Sequence, residues 1–316
     1  MGSKTAPWTA ADIPDLQGRT AIVTGASAGL GLETARRLAE RGARVVLACR
    51  SAEKAAAAAE DIRQTAPGAE LPFVELDLAS LESVRKAAAE VRGEFERVDL
   101  LVNNAGMLSR ERTFTVDGFE TTFATNHLGP FAFTGLIFDL LRAAPEGRVV
   151  TVASGMPAQK GLWLDLDDLG FERRKYKPLR AYSQSKQANA IFGLELQRRL
   201  NGTDSALISV LAHPGAAESD FAQNLGPAVQ FLSRPSLRWI FRFAMQTVEM
   251  GALPTLRAAT DPTVRGGDFF GPSGNTKGYP VLNEASEQTR DPELAARLWA
   301  ESERLTGVTY RFEDAD

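Results

Sequence analysis

Tyr182-Ser183-Gln184-Ser185-Lys186 sets a phenol and an ammonium four residues apart, on one face if the segment is helical. A nearby Lys⁺ favours the phenolate and draws a tyrosine pKa down from about 10 toward a range useful for proton transfer. Such pairs also occur on solvated helix faces, so the spacing alone leaves both readings open. Its meaning sharpens beside Val152-Ala153-Ser154-Gly155, which reads as a strand end delivering a hydroxyl to the same edge. Farther upstream, Thr24-Gly25-Ala26-Ser27-Ala28-Gly29-Leu30-Gly31 has the spacing G-x-x-x-G-x-G. Glycines here permit a sharp turn and a close backbone approach to a pyrophosphate, whose charge suits the N–H groups and dipole of a following helix. A tight turn with no ligand is the alternative. The next strand ends Leu47-Ala48-Cys49-Arg50-Ser51. A carboxylate at that position bonds a ribose 2′-OH, whereas arginine accommodates a 2′-phosphate. Arg50, with the Ser51 hydroxyl, therefore favours NADP over NAD, against the plainer reading of an exposed surface charge.

Composition removes most other chemistry. The chain has 316 residues, one Cys and two His, so an internal disulfide and zinc sites of four cysteines, or of two cysteines and two histidines, are excluded. His127 and His213 lack metal-ligand spacing and read as structural, and Cys49 as a buried strand residue. Asp165, Asp167 and Asp168 resemble a metal cluster superficially and read as a solvated loop. With 36 Lys plus Arg against 40 Asp plus Glu, the net charge of −4 gives no nucleic-acid surface. The opening residues lack a secretory signal and a myristoylation motif, and the apolar patches at 131–141 and 239–245 are too short for a stable membrane span. A cytoplasmic protein is expected.

The elements that must position these groups follow from periodicity. Strands are expected at 20–23, 44–49, 72–76, 98–102, 148–152, 207–211 and 268–270, and helices at 30–41, from Ser51 to Pro67-Gly68, at 81–95, in a long stretch reaching Ala144, at 181–200 and at 252–259. Repeated β/α alternation with nearly continuous apolar strands implies an α/β fold whose parallel sheet is covered on both faces. Two stretches break the rhythm, 156–179 and 219–247, and both follow strand carboxyl ends, where open α/β sheets bind ligands. No linker or repeat divides the chain, so one domain over 1–316 with two inserts is expected.

The set Thr24-Gly25-x-x-x-Gly29-x-Gly31, Asn103-Asn104-Ala105-Gly106, Ser154, Tyr182-x-x-x-Lys186 and Pro214-Gly215 resembles the short-chain dehydrogenase/reductase family, in order across about residues 18–275. Within it, Ala48-Cys49-Arg50, Asn126-His127-Leu128-Gly129-Pro130-Phe131 and the long insert before Tyr182 look most like the retinol-dehydrogenase and WW-domain-oxidoreductase branch, catalytic part only. The resemblance implies a Rossmann-type, doubly wound, mostly parallel seven-stranded sheet with helices on both faces. It implies that Tyr182 is the general acid or base, that Ser154 bonds the substrate oxygen, and that Lys186 holds the nicotinamide ribose and lowers the Tyr182 pKa. Asn126 would anchor a water in the proton relay. Cofactor contacts fall on Gly25, Ser27, Ala28, Gly29, Leu30, Gly31, Arg50, Ser51, Asp77, Leu78, Asn103, Ala105, Gly106, Tyr182, Lys186, Pro214, Gly215 and Ser219. Ala153 departs from relatives that carry a second Ser, and Ser219 stands for a usual Thr.

The function so implied is an NADP(H)-dependent oxidoreductase moving a hydride between nicotinamide and a carbonyl or alcohol, in the direction of reducing a hydrophobic ketone or aldehyde. Phe221, Leu225, Phe231, Trp239, Phe241 and their neighbours suit a lid with an apolar underside, or a membrane-surface helix. Trp163, Leu164, Phe171 and Tyr176 either roof the substrate mouth or pack on the domain edge. A carbon–carbon double-bond reductase and a non-catalytic NADP-binding regulator are the competing functions, and a homo-oligomer paired through the two long central helices is open.

Overall fold

The computed structural model describes residues 6–155, 164–217 and 245–312. The order along the chain is β1 (Thr20–Thr24), α1 (Gly29–Glu40), β2 (Arg44–Cys49), α2 (Ala52–Arg63), β3 (Phe73–Glu75), α3 (Leu81–Glu94) and β4 (Leu100–Asn103). A broken helical run follows, of α4 (Thr121–Phe123), a π-helical turn (Ala124–Leu128), α5 (Gly129–Leu136) and α6 (Phe138–Arg142). After β5 (Arg148–Val152) come α7 (Pro178–Leu200), β6 (Ile208–Ala212), α8 (Val248–Thr260), β7 (Phe269–Pro272), β8 (Pro280–Leu282), α9 (Glu287–Arg290) and α10 (Pro292–Thr306).

The sheet order is β3-β2-β1-β4-β5-β6-β7-β8. Strands β1 to β7 pair in parallel and β8 closes the edge antiparallel to β7. The sheet thus has eight strands rather than the expected seven. Pro280-Val281-Leu282 is too short to show a period of two, and its pairing depends on a tight turn from β7. Apolar side chains serve both faces, which is why the strands read as continuous runs. Ala21, Val23, Val45 and Leu47 join the layer with α1, α2 and α8, whereas Ile22, Val46, Leu101 and Val149 join the layer with α3, α5 and α7.

Sequence punctuation sets the helix limits. Ser51 and Ser80 accept hydrogen bonds from Lys54 N (3.2 Å) and Ser83 N (3.3 Å), capping α2 and α3. The unanticipated α10 carries equally plain signals: Asp291 accepts from Glu293 N and Leu294 N, Pro292 opens the helix, and Gly307 ends it in the left-handed conformation. This helix and the tail beyond it lie on α5, α7 and the π turn. Trp299 and Tyr310 sit 4.7 Å apart, ring to ring, over Phe131 and Phe192, and the Tyr310 hydroxyl donates to Phe131 O at 2.6 Å. Among the described residues no helix is long and apolar enough to cross a membrane.

In the described part of the first insert Asp167 is exposed and Asp165 half-buried, as expected of a solvated loop, but Asp168 is a buried charge around which the loop folds. Asp168 is buried and accepts from the amides of Glu172 (2.6 Å), Arg173 (3.1 Å) and Arg174 (3.0 Å) and from Arg174 Nε (2.8 Å). Leu164 and Phe171 are buried too, Leu164 against α7. Trp163 and nearly all of the second insert lie outside the described residues.

Burial would raise the Asp168 pKa, but the Arg174 guanidinium and three amides outweigh it and hold the carboxyl down to about 2. Its folded pKa therefore lies below the ordinary value of about 3.9, so its contribution to stability is present above that value and fades as pH falls toward 2. Asp168→Asn is expected to cost about 2–3 kcal/mol at pH 7. Urea unfolding of both proteins between pH 7 and 3 checks this: the gap should narrow with falling pH, and a constant gap would refute the assignment.

Candidate active site

The topology reverses between β1 and β4, and their carboxyl ends form the crevice where open α/β sheets hold ligands. One hydroxyl joins the two turns. Thr24 Oγ1 accepts from the amides of Asn104 and Ala105, each at 3.0 Å, and donates to Val102 O at 3.3 Å. Asn104 Nδ2 donates back to Thr24 O at 2.9 Å. Gly31 is needed there: a Cβ would collide with the Gly25 carbonyl oxygen and lie 2.5 Å from Asn104 Nδ2. Ala28, at the N-cap of α1, offers no side-chain acceptor, so the first-turn N–H groups face the crevice uncapped. This cradle fits a pyrophosphate.

Around it, the other expected cofactor contacts fall at strand ends. Gly25 N donates to Ala48 O at 2.8 Å, joining the glycine turn, which includes Ser27, to β2. Arg50 is exposed just past β2, whereas the Ser51 hydroxyl is engaged as the cap of α2. Asp77 turns on itself, its carboxylate accepting from Ala79 N at 3.0 Å, and Leu78 is buried. Asn103 donates to Thr134 Oγ1 at 3.0 Å, and its buried Oδ1 has no hydrogen-bond partner among the described residues. Pro214 O accepts from Gln246 Nε2 at 2.6 Å, and Gly215 lies beside it with a left-handed backbone. A Cβ on Gly251 of α8 would come 2.9 Å from Leu30 and 3.7 Å from Pro214 O, so the β6 end stands beside the start of α1. Ser219 lies outside the described residues.

The second centre of the site is α7. Lys186 is buried and donates from Nζ to Val152 O at 2.8 Å, two residues before Ser154. A Cβ on Gly106 would lie 3.2 Å from Lys186 Nζ and 3.5 Å from Asn126 Oδ1, so β4, β5, the π turn and α7 converge on one point. Asn126 is fully buried: Oδ1 accepts from Met107 N (2.7 Å), while Nδ2 donates to Met107 O (2.9 Å) and Ser185 Oγ (2.9 Å). Ser185 passes the link on, donating to Tyr182 O at 2.8 Å. Neither Ser185 nor the Met107 peptide was anticipated. Ser185 was open to discovery as the residue three beyond Tyr182 on the same helical face, whereas a backbone partner leaves no sequence trace.

Electrostatically, burial governs both titrating groups. It raises the Tyr182 phenol above its ordinary value and lowers the Lys186 ammonium to about 8. Lys186 Nζ lies 6.0 Å from the Tyr182 ring centre. Burial thus acts on Tyr182 in the sense opposite to the lowering expected from Lys186.

The two histidines are built into packing. His127 Nε2 meets Ser302 Oγ at 2.9 Å among Phe123, Phe131 and Phe192, and burial lowers its pKa to about 4. His213 is likewise lowered to about 4 by burial. Gly215 N donates to its Nδ1 at 3.3 Å, and Asn283 Nδ2 stands 2.8 Å from its Nε2.

Comparison with known proteins agrees with this architecture. The family model of short chain dehydrogenases matches residues 19–164. Human retinol dehydrogenase 13 is 39% identical over 295 residues, 93% of this chain and 86% of its own. Mouse polyprenol dehydrogenase is 37% identical over 304 residues, covering 94% and 86%. The crystal structure of an uncharacterized protein from Mycobacterium paratuberculosis, 38% identical, superposes with a TM-score of 0.78 over 97% of this chain and 100% of that one. With its crevice at the β1/β4 reversal and its kinship to retinol dehydrogenases over nearly its whole length, the chain belongs to the short-chain dehydrogenase/reductase family and is an oxidoreductase.

Proposed function

We propose that the chain is an NADP(H)-dependent reductase of hydrophobic ketones or aldehydes. The observation that carries this reading is the convergence of Gly106, Asn126 and Lys186 beside Tyr182, at the carboxyl end of a parallel sheet. Family members use a nicotinamide cofactor, which when bound supplies or takes the hydride. The glycine turn and the first turn of α1 bind its pyrophosphate, and the β4 turn and Lys186 flank the nicotinamide side. Ser154, at the end of β5, orients the substrate oxygen by hydrogen bonding, and Tyr182 gives that oxygen its proton. Burial keeps the Tyr182 phenol protonated through the neutral range, the form a proton donor needs. Lys186 places an ammonium near the ribose, and Asn126 fixes the local path by which Tyr182 regains its proton.

Two features support the finer choices. β2 ends in Cys49-Arg50, with no carboxylate to repel a 2′-phosphate and an exposed guanidinium to receive it. The names of the relatives, retinol and polyprenol dehydrogenases, suit long apolar substrates. The Cys49 thiol is buried in the cofactor strand with its pKa pushed up, away from any role in double-bond reduction.

Tyr182→Phe is expected to lower turnover by about 10²–10⁴-fold with little change in NADPH affinity, as followed by NADPH absorbance against a carbonyl panel that includes retinal. Retained turnover would remove Tyr182 as proton donor. In a parallel test, Arg50→Ala should raise the KM for NADPH about tenfold or more, the value of roughly one charge-assisted phosphate contact, and leave that for NADH unchanged. Equal use of NADH by the unaltered protein would refute the cofactor choice.

A further inference from the structure

Two of the three hydrogen bonds that hold the Asn126 side chain go to the backbone of one residue, the N–H and C=O of Met107. The position of Asn126 therefore depends on what holds the segment Met107-Leu108-Ser109, which runs as irregular backbone past the end of β4. Its far end is gripped twice. Ser109 N donates to Thr122 Oγ1 at 3.1 Å, on the same helical run as Asn126, and Ser109 O accepts from the Tyr176 hydroxyl at 2.9 Å. Tyr176 belongs to the first insert, six residues before Tyr182, and its hydroxyl also stands 3.4 Å from Glu120 Oε1. Glu120 is buried and caps that helical run, accepting from Thr122 N (2.9 Å) and Phe123 N (2.8 Å).

Tyr176 is itself held firmly. Its ring meets Phe171 edge-on at 5.3 Å, and the Arg174 guanidinium lies 4.7 Å over the other aromatic of that pair, Phe171. Phe171 has a left-handed backbone (φ 53°), which a bulky side chain adopts only where surroundings enforce it. Those surroundings are the Asp168-centred loop and a second tie from Arg112 Nε to Gly170 O at 2.7 Å. Nothing in this arrangement touches the reacting groups, yet it joins the insert leading into α7 to the backbone that fixes Asn126.

We propose that Tyr176 is a positioning residue: its hydroxyl braces Ser109 so that the Met107 peptide stays in register with Asn126 and, through Ser185, with the turn of α7 that carries Tyr182. The inference rests on the reading of Asn126 and Tyr182 given above. Removing the hydroxyl leaves the Ser109 carbonyl without this donor, loosens 107–109, and lets Asn126 drift while the glycine-turn cradle is untouched.

The test has a structural arm and a kinetic arm, both on the full chain. In hydrogen–deuterium exchange, Tyr176→Phe should speed exchange of the Met107 and Ser109 amides about tenfold or more, with the α1 turn unchanged. Unchanged protection at 107–109 would overturn the brace. In NADPH-linked assays, Tyr176→Phe should lower kcat about tenfold with the KM for NADPH unchanged. The same change in an Asn126→Ala background should cost less than about twofold, since both act on one path. Multiplying effects would show that Tyr176 acts independently and would overturn the proposal. Tyr182→Phe run alongside separates the two readings: full activity there defeats the parent assignment, while loss of activity there with an inert Tyr176→Phe defeats the brace alone.

Discussion

The Thr24 hydroxyl, accepting two amides from the β4 turn while the Asn104 side chain returns a bond to the Thr24 carbonyl, is the constraint on which the rest of the site depends. It closes the gap where the chain reverses its winding, and it draws the β4 turn so near the glycine turn that Gly31 has no space for a side chain. From there the β4 backbone runs directly into Gly106 and Met107. The pyrophosphate cradle and the group around Asn126 and Lys186 are thus two ends of one short stretch of chain.

Desolvation is the second organising effect, and it acts in opposite senses on neighbouring groups. It keeps Tyr182 neutral, weakens the hold of Lys186 on its proton and makes both histidines neutral packing residues. Asp168 escapes that rule because three amides and a guanidinium converge on it. Where donors converge, a buried charge is retained and organises a loop; where they are sparse, the neutral form prevails.

Much of this was legible in the residues. β2 and β5 lie where their apolar runs end, and α1 opens at Gly29 because the glycine spacing leaves little choice. The grouping of Asn126 with Lys186 was implied by the family resemblance. The rest depended on tertiary partners. β8 needed β7 to become a strand, the π turn at Asn126 has no sequence period of its own, and Asp168 reads as an ordinary loop acid until the chain folds round it. At Tyr182 the spacing reports the neighbour's charge and says nothing of burial. The signals of α10, a capped start, an apolar stripe and a closing glycine, were present and simply lay beyond the motifs.

The covering of α5 and α7 by the last residues of the chain bears on how the molecule is completed. During synthesis α7 emerges more than a hundred residues before Tyr310, so its outer aromatic side stays wet until residues 292–312 have followed it out of the ribosome. The helix carrying Tyr182 is therefore one of the last parts to acquire its full surroundings. Any second chain seeking to pair through the same side would have to compete with a segment already tethered at high local concentration.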